Sequence, residues 1–250
     1  MSNEKEIREA FKILLNKNFP DGFTFDEFSG GGLVTRPDLA TFLPNDIIFT
    51  EIKSDKDTFS RLDTQVIDYS KYANFVYIVL DIKHLPKFQK EYKKRLPKGQ
   101  VYFYKDGDFY HPNYVKDDLT VKVDELAYYS YPTVNINILS FLWKAEMYPF
   151  TGFIKGRTKI ISDFLVIQHL YTAREIIDMC HYILYDRAKN RANSESGKLL
   201  TYNHGWYNKE ILHTEHRQSL FDNIECERAV RQKNKLKHHS KDLFNFERVS

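Results

Sequence analysis

Three residues of this chain have the types and spacing to do phosphoryl chemistry together: Asp38, Glu51 and Lys53. Asp38 closes the triplet Arg36-Pro37-Asp38, and twelve residues further on comes Glu51-Ile52-Lys53. A strand turns successive side chains to opposite faces, so Glu51 and Lys53 project from the same side of one strand. If the run Arg36–Phe42 pairs antiparallel with Asp46–Lys53 through the turn Leu43-Pro44-Asn45, Asp38 arrives beside Glu51. Two carboxylates so placed form a hard-oxygen site suited to Mg²⁺ or Mn²⁺, and the main-chain carbonyl of Ile52 is placed to join them. An ion there would polarise a phosphodiester oxygen and acidify a bound water. Lys53 would stabilise charge on the attacking water or the scissile phosphate. Singly, a Pro-Asp dipeptide and a Glu-x-Lys triplet are common in proteins. The context raises them: the triplet ends an apolar strand run, where burying charge is costly unless the charges ligate or pair.

The elements that must position these residues follow from periodicity. Glu4, Ile7, Phe11 and Leu14 share one helical stripe, with Ala10 and Leu15 at its margins, and Phe19-Pro20-Asp21-Gly22 ends that helix. Residues 23–28 alternate as a strand, and Ser29-Gly30-Gly31-Gly32 forms a loop. Ile47-Ile48-Phe49-Thr50 is β-branched and aromatic, as a central strand requires. Asp57 or Thr58 is expected to cap a helix running to about Tyr72. Phe75 to Leu80 reads as a strand buried on both faces. A basic helix between Pro86 and Pro97 follows, then a strand at Val101–Tyr104 and a hairpin turn at Asp106-Gly107 before Phe109-Tyr110. Beyond about residue 130 the pattern turns mainly helical, with candidates at 135–148, 159–169, 172–190 and 207–223. These signals predict an α/β core over residues 1–130 and a mainly helical region over 131–250 that ends in a basic tail.

The helix after Lys53 contains Arg61, Gln65 and Tyr69 at four-residue intervals, which places them on one face. An Asp, then Glu-x-Lys, then Gln-x-x-x-Tyr on the next helix resembles the PD-(D/E)xK nuclease superfamily in its RecB-like branch. Glu51-Ile52-Lys53-Ser54-Asp55, with Leu62, Gln65 and Tyr69 downstream, also resembles compact stand-alone bacterial and phage nucleases of the MmcB and VRR-NUC groups. The likeness covers roughly residues 4–105 and is specific as an ordered set rather than part by part. It implies a restriction-endonuclease-like core, a mixed sheet flanked by helices. It further implies that Asp38 and Glu51 bind metal, that Lys53 is catalytic and that Gln65 orients the site or touches DNA. An acid on the first helix often completes such a site, and Glu4 is the candidate because it shares the inward stripe. Arg36, Arg61 and Tyr69 become candidate nucleic-acid contacts.

Composition sets the limits. With 42% hydrophobic, 15% aromatic and 28% charged residues, the chain reads as an ordinary globular protein. Its net charge of +3 says little, but the distribution says more. From Lys83 to Lys98 seven cations, Lys93, Lys94 and Arg95 among them, face a single acid, Glu91. The tail from Arg228 to Lys241 carries six cations and no acid. Such clusters can neutralise phosphates. Cys180 and Cys226 alone make neither a disulfide framework nor a cysteine-rich zinc site. The N-terminal segment reads as a charged helix rather than a signal peptide, and nothing approaches a membrane span. A cytoplasmic protein without membrane contact is expected.

In the second half, Lys155-Gly156-Arg157-Thr158-Lys159 is a basic turn before a helix, a reasonable phosphate site. The surrounding helix, turn and helix resemble a SAP-type nucleic-acid module. His213, Glu215 and His216 do not assemble the order an HNH nuclease needs. The reading that results is a Mg²⁺- or Mn²⁺-dependent deoxyribonuclease, an endonuclease or nickase in a phage, restriction or repair setting. RNA remains open as a substrate, and a homodimer is expected if both strands are cut. Two alternatives belong to other classes: a catalytically silent DNA-binding module of the same fold, and a protein-interaction factor that recruits a partner.

Overall fold

A computed structural model describes residues 3–30, 32–92, 99–113, 118–128, 136–143, 146 and 173–193. The first element, α1 (Glu4–Asn18), is capped by the Asn3 side chain, which accepts from the Glu6 N–H at 2.8 Å. Its Ile7, Phe11, Leu14 and Leu15 are buried, the stripe that periodicity predicts. Three strands follow as an antiparallel meander: β1 (Phe23–Asp26), β2 (Leu39–Phe42) and β3 (Ile47–Lys53). Helix α2 (Leu62–Tyr69) leads to β4 (Phe75–Asp81), which pairs parallel with β3. A 3-10 turn (Ile82–His84) and α3 (Leu85–Tyr92) lead to β5 (Gln100–Lys105), parallel to β4. Antiparallel β6 (Asp108–Asn113) and β7 (Asp118–Lys122) complete the sheet. Among the described residues the seven strands lie side by side in chain order, in one mixed sheet. This is an α/β architecture.

The two faces of the sheet divide the residues by parity. Ile48 and Ile52 of β3, with Tyr77 and Val79 of β4 and Tyr102 and Tyr104 of β5, form a cluster with α1. Phe11 is the centre of that layer, its ring 6.0 Å from Tyr77, 6.1 Å from Tyr102 and 5.2 Å from Phe109. Each such large, fully buried apolar side chain contributes about 1.5–3 kcal/mol of burial free energy. Phe49, Glu51 and Lys53 point to the opposite face, where α2 lies. The whole of β3 and of β4 is buried, as expected of strands covered on both sides.

The second face is completed by later parts of the chain. A 3-10 helix (Ile136–Phe141) sets Phe141 against Phe28 at 5.3 Å, against Phe49 at 6.2 Å and in a stack on Tyr72 at 4.9 Å. Helix α4 (Ala173–Ala192) covers β1 and β2, with Tyr185 on Phe23 at 5.4 Å. Its Arg187 is buried, lies 4.3 Å over the Trp143 ring, and is paired with Glu146 and the Phe141 carbonyl. All described residues thus belong to one compact unit.

Several expected boundaries shift for identifiable reasons. The strand expected from Arg36 begins at Leu39, because Pro37 has no N–H to give to a ladder. The helix expected from Asp57 or Thr58 begins at Leu62. Asp57 is instead used locally, accepting from the Ser54 N–H at 2.8 Å and the Ser54 hydroxyl at 2.6 Å. Within the helix expected at 135–148 the described residues form the short 3-10 segment, and the expected 172–190 helix is α4. Strand β7 has no counterpart among the expected elements. The candidates at 159–169 and 207–223 lie outside the described residues.

Candidate active site

Continued past its last pair, the register of β2 against β3 shows which β3 residues Asp38 approaches. The ladder runs in strict antiparallel order, from Phe42 opposite Ile47 to Leu39 opposite Thr50. One step further puts Asp38 opposite Glu51, on the face that holds Phe49 and α2. The next step puts Pro37 opposite Ile52. The Ile52 N–H, lacking a strand partner there, donates to Asp38 Oδ2 at 2.7 Å. Within a strand the N–H and C=O of one residue point to the same neighbour. The Ile52 carbonyl therefore faces the Asp38 side too, where Pro37 offers it no donor.

Glu51, Lys53, Gln65 and Tyr69 form one hydrogen-bonded cluster. Lys53 Nζ donates to Glu51 Oε1 at 2.5 Å and to Gln65 Oε1 at 3.1 Å. Gln65 Nε2 donates to Glu51 Oε1 at 2.5 Å, and the Tyr69 hydroxyl donates to Glu51 Oε2 at 2.7 Å. An ammonium can only donate and a carboxylate only accept, so the Gln65 amide has one satisfying orientation. Glu51 is 2% exposed and Lys53 7%, and each answers the other's desolvation. Tyr69 is fully buried with its ring 5.8 Å from Phe49. Burial, the Glu51 charge and the hydrogen bond to Glu51 all push its hydroxyl pKa upward. That burial corrects the expectation that Tyr69 touches nucleic acid: its hydroxyl is committed to Glu51 inside the cluster.

Asp38 is the more open carboxylate. Burial first, and then the Glu51 charge, push its pKa up to about 7, against the opposing pull of the Ile52 N–H. Arg8 of α1 reaches it at 3.7 Å and also pairs with Glu4, with Asp26 at 3.9 Å and with Glu27 at 3.9 Å. Glu4 is thus linked to Asp38 through Arg8, with its own side chain half exposed. Arg36 is exposed and pairs with Glu27 at 3.3 Å, and Arg61 is exposed at the start of α2. Lys93, Lys94, Arg95, Lys155, Arg157 and Lys159 lie outside the described residues. From the same basic segment Lys83 pairs with Asp55 at 2.9 Å, and Lys87 lies 5.1 Å over the Phe59 ring.

Among the described residues no group of three or more His, Cys, Asp or Glu is gathered as a metal site. The oxygens that could hold a cation here are those of Asp38, Glu51 and the Ile52 carbonyl. Their chemistry fits a hard divalent cation, because two adjacent carboxylates repel and the carbonyl beside them faces Pro37, which has no N–H to give it. Sequence reasoning missed Arg8 and Asp68. The Asp68 carboxylate accepts from the Val34 N–H at 2.8 Å and from the Thr35 N–H at 2.9 Å. A helix acid three residues from Gln65 was the available signal, but its partners are backbone groups far upstream.

Residues 3–97 match the family described as Bacteriophage P4 protein cII. That stretch holds every residue of the cluster and is less than half of the chain. No curated protein and no solved structure matches. Among the described residues no helix is long and apolar enough to cross a membrane.

Proposed function

We propose that the chain is a metal-dependent nuclease with a restriction-endonuclease-like core, hydrolysing DNA phosphodiester bonds at Asp38, Glu51 and Lys53. The observation that carries this reading is the buried Glu51–Lys53 pair at the end of β3, with Asp38 opposite Glu51 in the ladder register. Charges at the end of an internal strand cost several kcal/mol to bury, and packing alone gives no reason to place them there. The likeness to a phage family over residues 3–97 supports a phage setting.

In this reading Asp38, Glu51 and the Ile52 carbonyl hold Mg²⁺ or Mn²⁺, which when bound would polarise the phosphate and acidify a water. Lys53 supplies a fixed positive charge beside that position, where negative charge grows during in-line displacement. Gln65 keeps Lys53 and Glu51 in register by bonding both, and Tyr69 fixes the second oxygen of Glu51. Arg36 and Arg61, exposed beside the cluster, contribute contacts to the phosphate backbone.

One observation favours a second reading, a catalytically silent DNA-binding module. Both Glu51 oxygens already accept from donors of this chain. Incubation of the protein with supercoiled and linear plasmid separates the two, using Mg²⁺, Mn²⁺ or EDTA and a Lys53→Ala control. Metal-dependent nicking or cutting that Lys53→Ala abolishes supports the nuclease. DNA that shifts in a gel but is never cut transfers the case to the silent module.

A further inference from the structure

The strand register accounts for Glu51 more firmly than for Asp38. Glu51 lies inside β3, paired with Ile78 of β4, whereas Asp38 precedes the first ladder residue of β2 and follows a proline. Its last sheet contact is through its carbonyl, which accepts from the Glu27 N–H at 2.9 Å, and Glu27 itself is in the left-handed region at φ 51°. The chain entering Asp38 from Glu27 lies off the sheet, so beyond the Ile52 N–H and Arg8, which hold the carboxylate itself, the backbone upstream of Asp38 needs its own restraint.

Helix α2 supplies that restraint. Asp68 is 3% exposed, and its Oδ2 accepts from the Val34 N–H, the Thr35 N–H and, at 3.1 Å, the Thr35 hydroxyl. Its Oδ1 lies 3.3 Å from Lys71. Burial works against the charge, yet the bonds from Thr35, Val34 and Lys71 together hold the carboxyl below its usual range. Upstream, the Tyr72 hydroxyl donates to the Gly32 carbonyl at 2.7 Å. Gly30 approaches Phe141 so closely that a Cβ there would overlap the ring. Gly30, Gly32, Val34 and Thr35 are therefore each fastened, and Asp68 is the fastening nearest Asp38.

We propose that Asp68 is a positioning residue for Asp38. It ties Val34 and Thr35 to the same helix whose Gln65 and Tyr69 hold Glu51, so that α2 sets the distance between the two carboxylates. The geometric part stands on the hydrogen bonds alone. The functional part, an effect on metal binding, rests on the nuclease reading of Asp38 and Glu51. Asp68→Asn keeps one side-chain oxygen for the two backbone N–H groups and is the conservative variant, whereas Asp68→Ala removes the acceptor.

The Ile52 N–H is the reporter, because its partner is Asp38 Oδ2. Amide exchange of Ile52 relative to Thr50, which pairs within the ladder, is measured by NMR on metal-free parent, Asp68→Asn and Asp68→Ala. A role limited to general stability would move both amides together. Positioning predicts that the Ile52-to-Thr50 ratio rises severalfold in Asp68→Ala and returns in Asp68→Asn. An unchanged ratio in a folded Asp68→Ala overturns the proposal. Mn²⁺ titration of the same proteins, followed by electron paramagnetic resonance without DNA, reads the consequence. Affinity is expected to fall by about 10–100-fold in Asp68→Ala, as for other residues that orient metal ligands. Unchanged Mn²⁺ affinity in Asp68→Ala removes the functional part. If the parent itself binds no Mn²⁺ the nuclease reading fails, while the exchange ratio still decides the positioning.

Discussion

Continued two residue pairs past its last rung, the β2–β3 register brings Pro37 opposite Ile52, where it withholds the hydrogen bond that any other residue would give to the Ile52 carbonyl. Replacing it tests whether that freedom matters. Pro37→Ala restores a donor and lets the ladder run further. Thermal stability is expected to hold or rise slightly, while metal-dependent cutting falls by about tenfold or more, as when a ligand is drawn away. Parallel melting curves and plasmid assays check this. Unaltered cutting would remove Ile52 from the ligand set.

The Glu51–Lys53 pair makes a prediction about stability that needs no substrate. Removing one member of a buried, hydrogen-bonded ion pair strands the other, at a cost of about 3–5 kcal/mol. Lys53→Met is expected to show a loss of that order in urea unfolding. Tyr69→Phe keeps the ring against Phe49 but takes one donor from Glu51, for about 1–3 kcal/mol. The double variant Glu51→Gln with Lys53→Met should be less destabilised than the sum of its parts, since neither charge is then left behind.

Asp38 predicts a pH dependence. Its carboxyl binds a proton more tightly in the folded protein than in the unfolded chain, so stability falls as pH rises from about 4 to about 7. A rise from 3.8 to about 7 corresponds to at most ~4 kcal/mol at 1.36 kcal/mol per unit. Asp38→Asn, which can still accept from Ile52, should be more stable than the parent at pH 8 in EDTA. The difference should vanish near pH 4. A parent and variant that track each other across this range would mean that burial and the Glu51 charge do not raise the Asp38 carboxyl in this way.

Two glycines with positive φ separate local strain from site geometry. Gly32, at φ 98°, has the Tyr72 hydroxyl 2.7 Å and the Ser140 hydroxyl 3.1 Å from where a Cβ would sit. Gly107, at φ 91°, has nothing within 4 Å. Both alanine variants carry the cost of the left-handed conformation, of order 1–3 kcal/mol. Only Gly32→Ala must also displace Tyr72, so it alone should reduce cutting at a temperature where both proteins are folded.

Much of the site was legible in the sequence because period two is strict. Glu51 and Lys53 had to share a face once the strand was recognised, and the short Pro44 turn brought Asp38 to the same end. Gln65 followed from four-residue spacing on the next helix. Asp68 was not legible, since its partners are the main-chain N–H groups of Val34 and Thr35, which carry no side-chain signature. Arg8 was hidden for another reason. Its pairing with Asp38 depends on where α1 crosses the sheet, which periodicity within α1 does not encode. Tyr69 was recognised by spacing but misplaced outward, because burial depends on what covers the helix.

Asp38, Glu51, Lys53, Gln65, Asp68 and Tyr69, with the Val34 and Thr35 amides that Asp68 holds, all come from residues 34–69. Phe141, which packs against Phe28, Phe49 and Tyr72, comes from much later in the chain. At a synthesis rate of about 5–20 residues per second, the frame of the cluster leaves the ribosome several seconds before its cover. During that interval Phe28, Phe49 and Tyr72 are exposed on a nascent chain, and an early stop in translation before residue 136 would leave them so. Chains truncated there should therefore depend on chaperones more heavily than the 250-residue chain does.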